Sequence, residues 1–300
     1  MHNSLLYLVF CLAPCWLCMG CASPFSSGGQ SSWARFEQRH VYLPARYPSG
    51  NWAPGGFKFE DAWFQAADGT RLNGWYYPHE KPAAVVLLAH GNGGNLTGYA
   101  EAIRVLHDQH RLSVMVFDYR GYGKSDGEPD EQGILEDARA ARQWLARRAN
   151  VEESDIVLMG HSLGGGVMVD LASVDGARGL ILVNTFTSLP DVASHHVPLL
   201  PARLIMHNRL ESISKIENYR GPLLQAHCET DKTVPFSQGK RLFDSANEPK
   251  SFVATQGAGH DDLLPDEFQK SLDRFLTSLP ASKPLPKPAR WHAAGSRTSL

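Results

Sequence analysis

The sequence predicts an α/β fold: a mostly parallel sheet with helices on both faces. Three observations carry this expectation. Apolar runs of strand length recur along the chain. Segments of helical periodicity alternate with them, which implies parallel strands joined by crossovers. The first two runs instead flank an Asp-Gly turn, so the sheet opens with an antiparallel hairpin.

Taken in order, residues 57–64 and 72–77 flank "AADGT" and form the expected hairpin. Buried-type strands are then expected at Ala84–Ala89, Leu112–Phe117, Ile156–Met159, Gly179–Val183, Pro222–Ala226 and Ser251–Ala254. Helical segments at 98–109, 131–148, 163–174, 236–246 and 266–278 fill the gaps. In 131–148, Ile134, Ala138, Ala141 and Leu145 recur at helical spacing and give one buried face. Residues 185–221 lie between the sixth and seventh strands and form a short lid. One domain over 40–279 follows, with no repeat or internal linker.

The flanks differ in composition. Leu5–Met19 is an apolar run followed by Gly20-Cys21-Ala22-Ser23. A membrane span needs about 20 apolar residues, and this run suits a signal-peptide core better. Residues 1–21 are therefore read as an export signal whose ending, "CMGC", resembles a bacterial lipobox. Cys21 is the expected lipidation site, so the protein is expected to be exported and anchored to a membrane in the cell envelope. Cys18 replaces the usual leucine three residues before Cys21, and the segment lacks Lys and Arg. The rival reading is a retained, palmitoylated cluster of Cys11, Cys15, Cys18 and Cys21. A metal site is not expected there, because the run is apolar and holds no histidine among the cysteines. Residues 22–39 read as a flexible Ser/Gly tether, and 280–300, rich in proline and basic residues, as a disordered tail.

With 300 residues, 43% of them hydrophobic and 20% charged, the chain can bury a large core. A net charge of −2 leaves no electrostatic footprint for nucleic acid. The basic trio Arg142, Arg147 and Arg148 reads as a solvated helix face.

The chemistry starts at "VLMGHSLGGGVM". Ser162 directly follows the strand "DIVLMG" and precedes a helical segment, which is the context of a nucleophile elbow. Gly160 and Gly164 let the flanking backbones pass closely. Acid and base should follow the serine in that order. Asp231 lies just past "GPLLQAHC", and His260 just past "SFVAT". Both sit at carboxyl ends of strands, where ligands bind in open α/β sheets. The imidazole takes the serine proton, and the carboxylate fixes its tautomer. Oxyanion donors are expected from the backbone N–H groups of Leu163 and Asn92, the latter in "AHGNGGN". His90 reads as a brace for that loop. Asp191, past the sixth strand, is the alternative acid. Asp261 and Asp262 read as loop or cap residues, His195-His196 as lid surface, and Cys228 as a buried thiol.

The series "AHGNGGN", "FDYRGYGKSDG", "GHSLGGG", "TFTSLPDVA", "ETDKTVPF" and "GAGH" resembles the α/β-hydrolase superfamily. It is most similar to the small-cap group of α/β-hydrolase-domain depalmitoylases and fungal bud-emergence-type proteins. The resemblance covers 40–279 and implies the α/β-hydrolase fold with an eight-stranded sheet, a triad of Ser162, Asp231 and His260, and no cofactor or metal. Serine at the elbow sets the chain apart from the haloalkane dehalogenases and epoxide hydrolases of the superfamily, which use aspartate there.

The lid holds "VPLLPARLIM", whose apolar side chains suit either an acyl pocket or simple packing of Leu199, Leu200, Leu204 and Ile205 onto the body. Glu211 and Glu217 are the lid carboxylates that would hold a substrate amine. The expected reaction is hydrolysis of a carboxylic ester or thioester of a small-molecule or acyl-chain substrate through an acyl-enzyme. The alternatives are an aminopeptidase-like amidase and a catalytically silent binding scaffold.

Overall fold

The computed structural model describes residues 32–56, 58–257 and 259–282. The expected export signal with Cys21, residues 22–31 of the tether, Phe57 and most of the basic tail lie outside these residues. Ten strands are present among the described residues: β1 Leu43–Pro44, β2 Glu60–Gln65, β3 Arg71–Tyr77, β4 Ala84–Ala89, β5 Gly93–Gly94, β6 Leu112–Phe117, β7 Val157–His161, β8 Gly179–Val183, β9 Leu223–Cys228 and β10 Lys250–Thr255. Eight of them form one sheet in the order β2-β3-β6-β4-β7-β8-β9-β10. The pairings β2/β3 and β3/β6 are antiparallel, and the other five are parallel. The two-residue strands β1 and β5 pair separately.

The strand alternation splits the core in two. From β4, Val85, Leu87 and Ala89 face one cluster, while Ala84, Val86 and Leu88 face the other. The first cluster is covered by α3 (Glu131–Ala149), α4 (Leu163–Asp175) and α8 (Phe236–Ser245) through Ile134, Leu145, Val167 and Leu242. The second is covered by α2 (Ala100–Asp108) and α9 (Asp266–Ser278) through Ile103, Leu106, Phe268 and Leu272. Because Leu87 has no exposed surface, truncating it to alanine should cost roughly 2–5 kcal/mol.

One expectation is corrected. Residues 32–39, read as tether, belong to a helix, α1 (Ser32–Val41). Its sequence places Trp33, Phe36, Glu37, His40 and Val41 at helical spacing, and all five line the cavity described below. The Ser/Gly-rich composition of the preceding residues hid that periodicity. Residues 32–39 therefore pack with the body of the domain rather than tethering it. The lid comprises α5 (Leu189–His196), α6 (Ala202–Ile205), α7 (Ser212–Lys215) and a short 3₁₀ turn at Ile216–Asn218.

Candidate active site

Ser162 sits alone between β7 and α4, with φ 52° and ψ −116°. That is a strained backbone for a residue with a side chain, held because its surroundings leave no alternative. Its N–H donates to Val183 O (3.0 Å), and its carbonyl accepts from Thr185 Oγ1 (2.9 Å) and Gly165 N (2.9 Å). A Cβ on Gly160 would lie 2.3 Å from the Gly164 carbonyl oxygen, and one on Gly164 would lie 2.1 Å from that of Ala89. The turn closes only with glycine at both positions.

The structure brings Ser162, His260 and Asp231 together from three separate loops. His260 Nε2 is 2.9 Å from Ser162 Oγ, and its Nδ1 is 2.7 Å from Asp231 Oδ2. A carboxylate only accepts, so Nδ1 carries the proton and Nε2 is left to accept from the serine hydroxyl. The other oxygen of Asp231 accepts from Thr233 N (2.8 Å) and Val234 N (2.9 Å). Burial pushes the Asp231 carboxyl up, but the hydrogen bond and charge of His260 and the two backbone donors outweigh it and hold the group below its usual range.

The main chain of His260 is anchored as firmly as its ring. Its carbonyl accepts from Asn184 Nδ2 (2.8 Å) and from His161 Nε2 (2.8 Å). His161 Nδ1 in turn accepts from the Tyr99 hydroxyl (2.7 Å), whose oxygen accepts from Gly91 N (2.8 Å). Sequence reasoning missed Tyr99, His161 and Asn184. Only His161 had a local signal, its place beside the serine.

The loop after β4 is braced on several sides. His90 Nδ1 donates to Gly91 O (2.7 Å). In a trans peptide the N–H points opposite the C=O, so this bond aims the Asn92 N–H away from His90. The Asn92 carbonyl accepts from Leu43 N (3.0 Å) and Tyr122 Oη (2.8 Å), and its side-chain amide donates to Val41 O (3.1 Å). Leu163, the first residue of α4, has an N–H with no intrahelical acceptor. Asn92 and Leu163 both line the cavity that contains Ser162. His90 is fully buried, with Nε2 3.4 Å from Asp118 Oδ1. It does not line that cavity and serves as the brace expected.

That cavity has a volume of about 920 Å³, open mouth included, and lies between α1, the lid and the serine. Phe186, Leu189, Val192, Leu200, Met206 and Val234 supply much of its wall. Two carboxylates pin the returning lid segment beside it. Glu37 accepts from His207 N (2.9 Å) and from Asn208 N (2.6 Å) and Nδ2 (3.0 Å), while Glu131 accepts from the next two N–H groups, Arg209 and Leu210.

The remaining candidates have other partners. Asp191 lies in the first turn of α5, where its oxygens accept from Thr187 Oγ1 (2.7 Å) and Arg203 Nη2, away from His260. Glu211 pairs with Arg209, and neither Glu211 nor Glu217 lines the cavity. His196 Nε2 donates to Thr233 O (2.9 Å), and its ring packs against His195. Asp262 accepts from Leu264 N (3.1 Å) as a loop cap, and Cys228 is a buried free thiol. No three His, Cys, Asp or Glu side chains among the described residues are grouped to hold a metal.

A mostly parallel sheet with a serine on a strained strand-to-helix turn, facing a histidine that is backed by an aspartate, both from later strand ends, defines the class of α/β-hydrolase-fold proteins. Comparison with known proteins agrees. The serine aminopeptidase S33 family matches residues 80–211. The chain is 38% identical over 249 residues to the uncharacterized protein Rv2307c of Mycobacterium tuberculosis, covering 80% of this chain and 87% of that one. It is 31% identical over 254 residues to the α/β-hydrolase domain-containing protein WAV2 of Arabidopsis thaliana, covering 76% and 82%. The Pyrococcus furiosus esterase Pf2001 shares the fold, with a TM-score of 0.65 at 21% identity over 80% of this chain and 98% of that one. The chain belongs to the α/β-hydrolase superfamily.

Proposed function

We propose that the protein is a serine hydrolase that cleaves a carboxylic ester or thioester carrying an apolar acyl group. The observation that carries this reading is the hydrogen-bonded line from Ser162 Oγ through His260 to Asp231, with Ser162 lining an apolar cavity. Ser162 attacks the substrate carbonyl carbon while His260 Nε2 takes its proton. Asp231 keeps the ring in that tautomer and stabilises the imidazolium. The N–H groups of Leu163 and Asn92 receive the charge that develops on the carbonyl oxygen. The tetrahedral intermediate collapses, His260 returns the proton to the departing alcohol or thiol, and a water activated by His260 then releases the acid from Ser162.

The cavity argues for an acyl chain over a substrate amine. The carboxylate among its described lining residues is that of Glu37, and both its oxygens are already engaged by His207 and Asn208. An ammonium group would find no free counter-charge there. Export and attachment through a lipidated Cys21 complete the proposal. Among the described residues no helix is long and apolar enough to cross a membrane; the proposed attachment lies in the segment before α1.

The test is a substrate series of p-nitrophenyl esters and acyl thioesters of increasing chain length, set against aminoacyl amides. The proposal expects kcat/KM to rise with chain length and to exceed that of the amides at every length. Preference for aminoacyl amides, reduced by Glu37→Gln, would replace it with a peptidase.

A further inference from the structure

The rim of the cavity exposes what the sequence alone would bury. Leu199 is 97% exposed and Leu204 87%. Leu199 adjoins Leu200, and Leu204 stands two residues before Met206; Leu200 and Met206 both line the cavity. Trp33 Nε1 donates to Ile205 O (2.8 Å), which sets the first turn of α1 against the end of α6. Phe36 stacks on Trp33 with ring centroids 5.3 Å apart, lines the same cavity and is 44% exposed. Large apolar side chains from two distant segments thus gather in water around one opening. Soluble proteins seldom leave such a cluster uncovered without a surface to meet it.

The exposed charges of α1 have one sign. Arg35 and Arg39 are exposed, one turn apart on α1 beside Phe36, and neither has an ion pair among the described residues. The nearby carboxylates are engaged, Asp191 by Arg203 and Glu37 by the lid backbone. Trp and Phe on one side of a short helix with Arg on the other is the make-up of a helix that lies in a lipid interface. In the sequence, the proposed lipidation site Cys21 stands 11 residues before Ser32. A chain of that length reaches at most about 40 Å. A lipid anchor at Cys21 would keep α1 beside the bilayer and make even weak docking effectively intramolecular.

We infer that the rim formed by Trp33, Phe36, Leu199 and Leu204 docks on a lipid bilayer, so that the cavity mouth opens onto the membrane and an acyl chain passes to Ser162 without crossing water. The passage of the chain rests on the ester-hydrolase reading; the docking does not.

Two measurements on the full chain separate these. The first is hydrogen exchange of the Ser162→Ala protein, with and without phosphatidylcholine–phosphatidylglycerol vesicles. Backbone amides of 33–40 and 198–206 should exchange more slowly on vesicles, by about tenfold or more, and Leu199→Glu/Leu204→Glu should abolish the difference. No slowing, or a slowing that follows protein concentration without lipid, overturns the docking; the second result assigns the rim to another copy of the chain. The second measurement compares a long-chain ester held in vesicles with soluble p-nitrophenyl acetate. Leu199→Glu/Leu204→Glu should raise KM for the vesicle substrate about tenfold or more, with kcat and the soluble reaction within about twofold. Equal losses on both substrates would place the two leucines in the cavity's own function and overturn docking. A wild-type protein that cleaves neither ester would sink the hydrolase reading alone, since the exchange experiment still decides the surface.

Discussion

His161 and Ser162, adjacent in the elbow, hold opposite ends of one histidine: the serine hydroxyl meets the His260 ring at Nε2, and His161 Nε2 binds the His260 carbonyl at 2.8 Å. A carbonyl only accepts, so His161 carries its proton on Nε2 and takes the Tyr99 hydroxyl at Nδ1. Tyr99 receives Gly91 N–H, and Gly91 precedes Asn92. One chain of hydrogen bonds therefore ties the base loop to the proposed oxyanion loop through the residue beside the nucleophile.

This chain predicts a positioning role for His161. His161→Ala should lower kcat by up to about 10²-fold with little change in KM, the cost of displacing reacting groups by a fraction of an ångström to an ångström. His161→Gln, which can still donate to the His260 carbonyl, should recover much of the loss. Equal kcat in the Ala variant and wild type would remove His161 from the account.

The same imidazole sets a pH dependence of stability. Burial, and then the nearby His260, lowers the His161 pKa from 6.5 to about 3. The folded state thus keeps His161 neutral in a range where the unfolded chain takes up a proton. Its contribution is complete above about pH 6.5 and is lost as pH falls toward 3, by up to ~1.4 kcal/mol per pH unit. Urea unfolding of wild type and His161→Gln across that window checks this. The variant should show a shallower fall, and parallel curves would contradict the prediction.

For the proposed triad, Ser162→Ala and His260→Ala should each lower kcat by roughly 10⁴-fold or more, and the double variant should be little worse, because the residues act as a unit. Asp231→Asn should cost on the order of 10⁴-fold by favouring the wrong tautomer. Asp191→Asn weakens contacts to Thr187, Arg203 and Arg241, none of them in the triad, and should be mild. A crippled Asp191→Asn beside a mild Asp231→Asn would move the acid to Asp191.

The proposed oxyanion donors can be separated from their side chains. Asn92→Ala keeps the main-chain N–H and loses only the tie to Val41, so most activity should remain. Asn92→Pro deletes the donor and should cost about 10²–10³-fold in kcat. Proline also restricts Gly91, so the melting temperature of the variant is measured alongside. Near-normal turnover in a folded proline variant would assign the donor elsewhere.

How much of this was legible beforehand follows from where each signal resides. Ala84–Ala89, Leu112–Phe117 and Gly179–Val183 were read at their full extent because strands buried on both faces leave unbroken apolar runs. Ser162 was legible because the crowding at Gly160 and Gly164 excludes every side chain. Asp231 and His260 followed from their places after successive strands. The chain from Tyr99 through His161 was not legible, since its members lie 62 and 99 residues from their partners and meet only in the folded sheet. Helix α1 was hidden by the serines and glycines before it. Leu199 and Leu204 read as acyl-pocket lining or lid packing because hydropathy alone does not distinguish a buried leucine from one left in water beside an opening.

The most direct test of the central claim is whether Ser162 becomes acylated through His260. Treated in separate samples with a fluorophosphonate probe or with an excess of a slowly hydrolysed long-chain ester, the wild-type protein should carry each adduct on the peptide containing Ser162, as read by mass spectrometry. Ser162→Ala should carry neither, and His260→Ala should react far more slowly with both. A folded wild-type protein with no adduct, or with the adduct on another residue, would contradict the account.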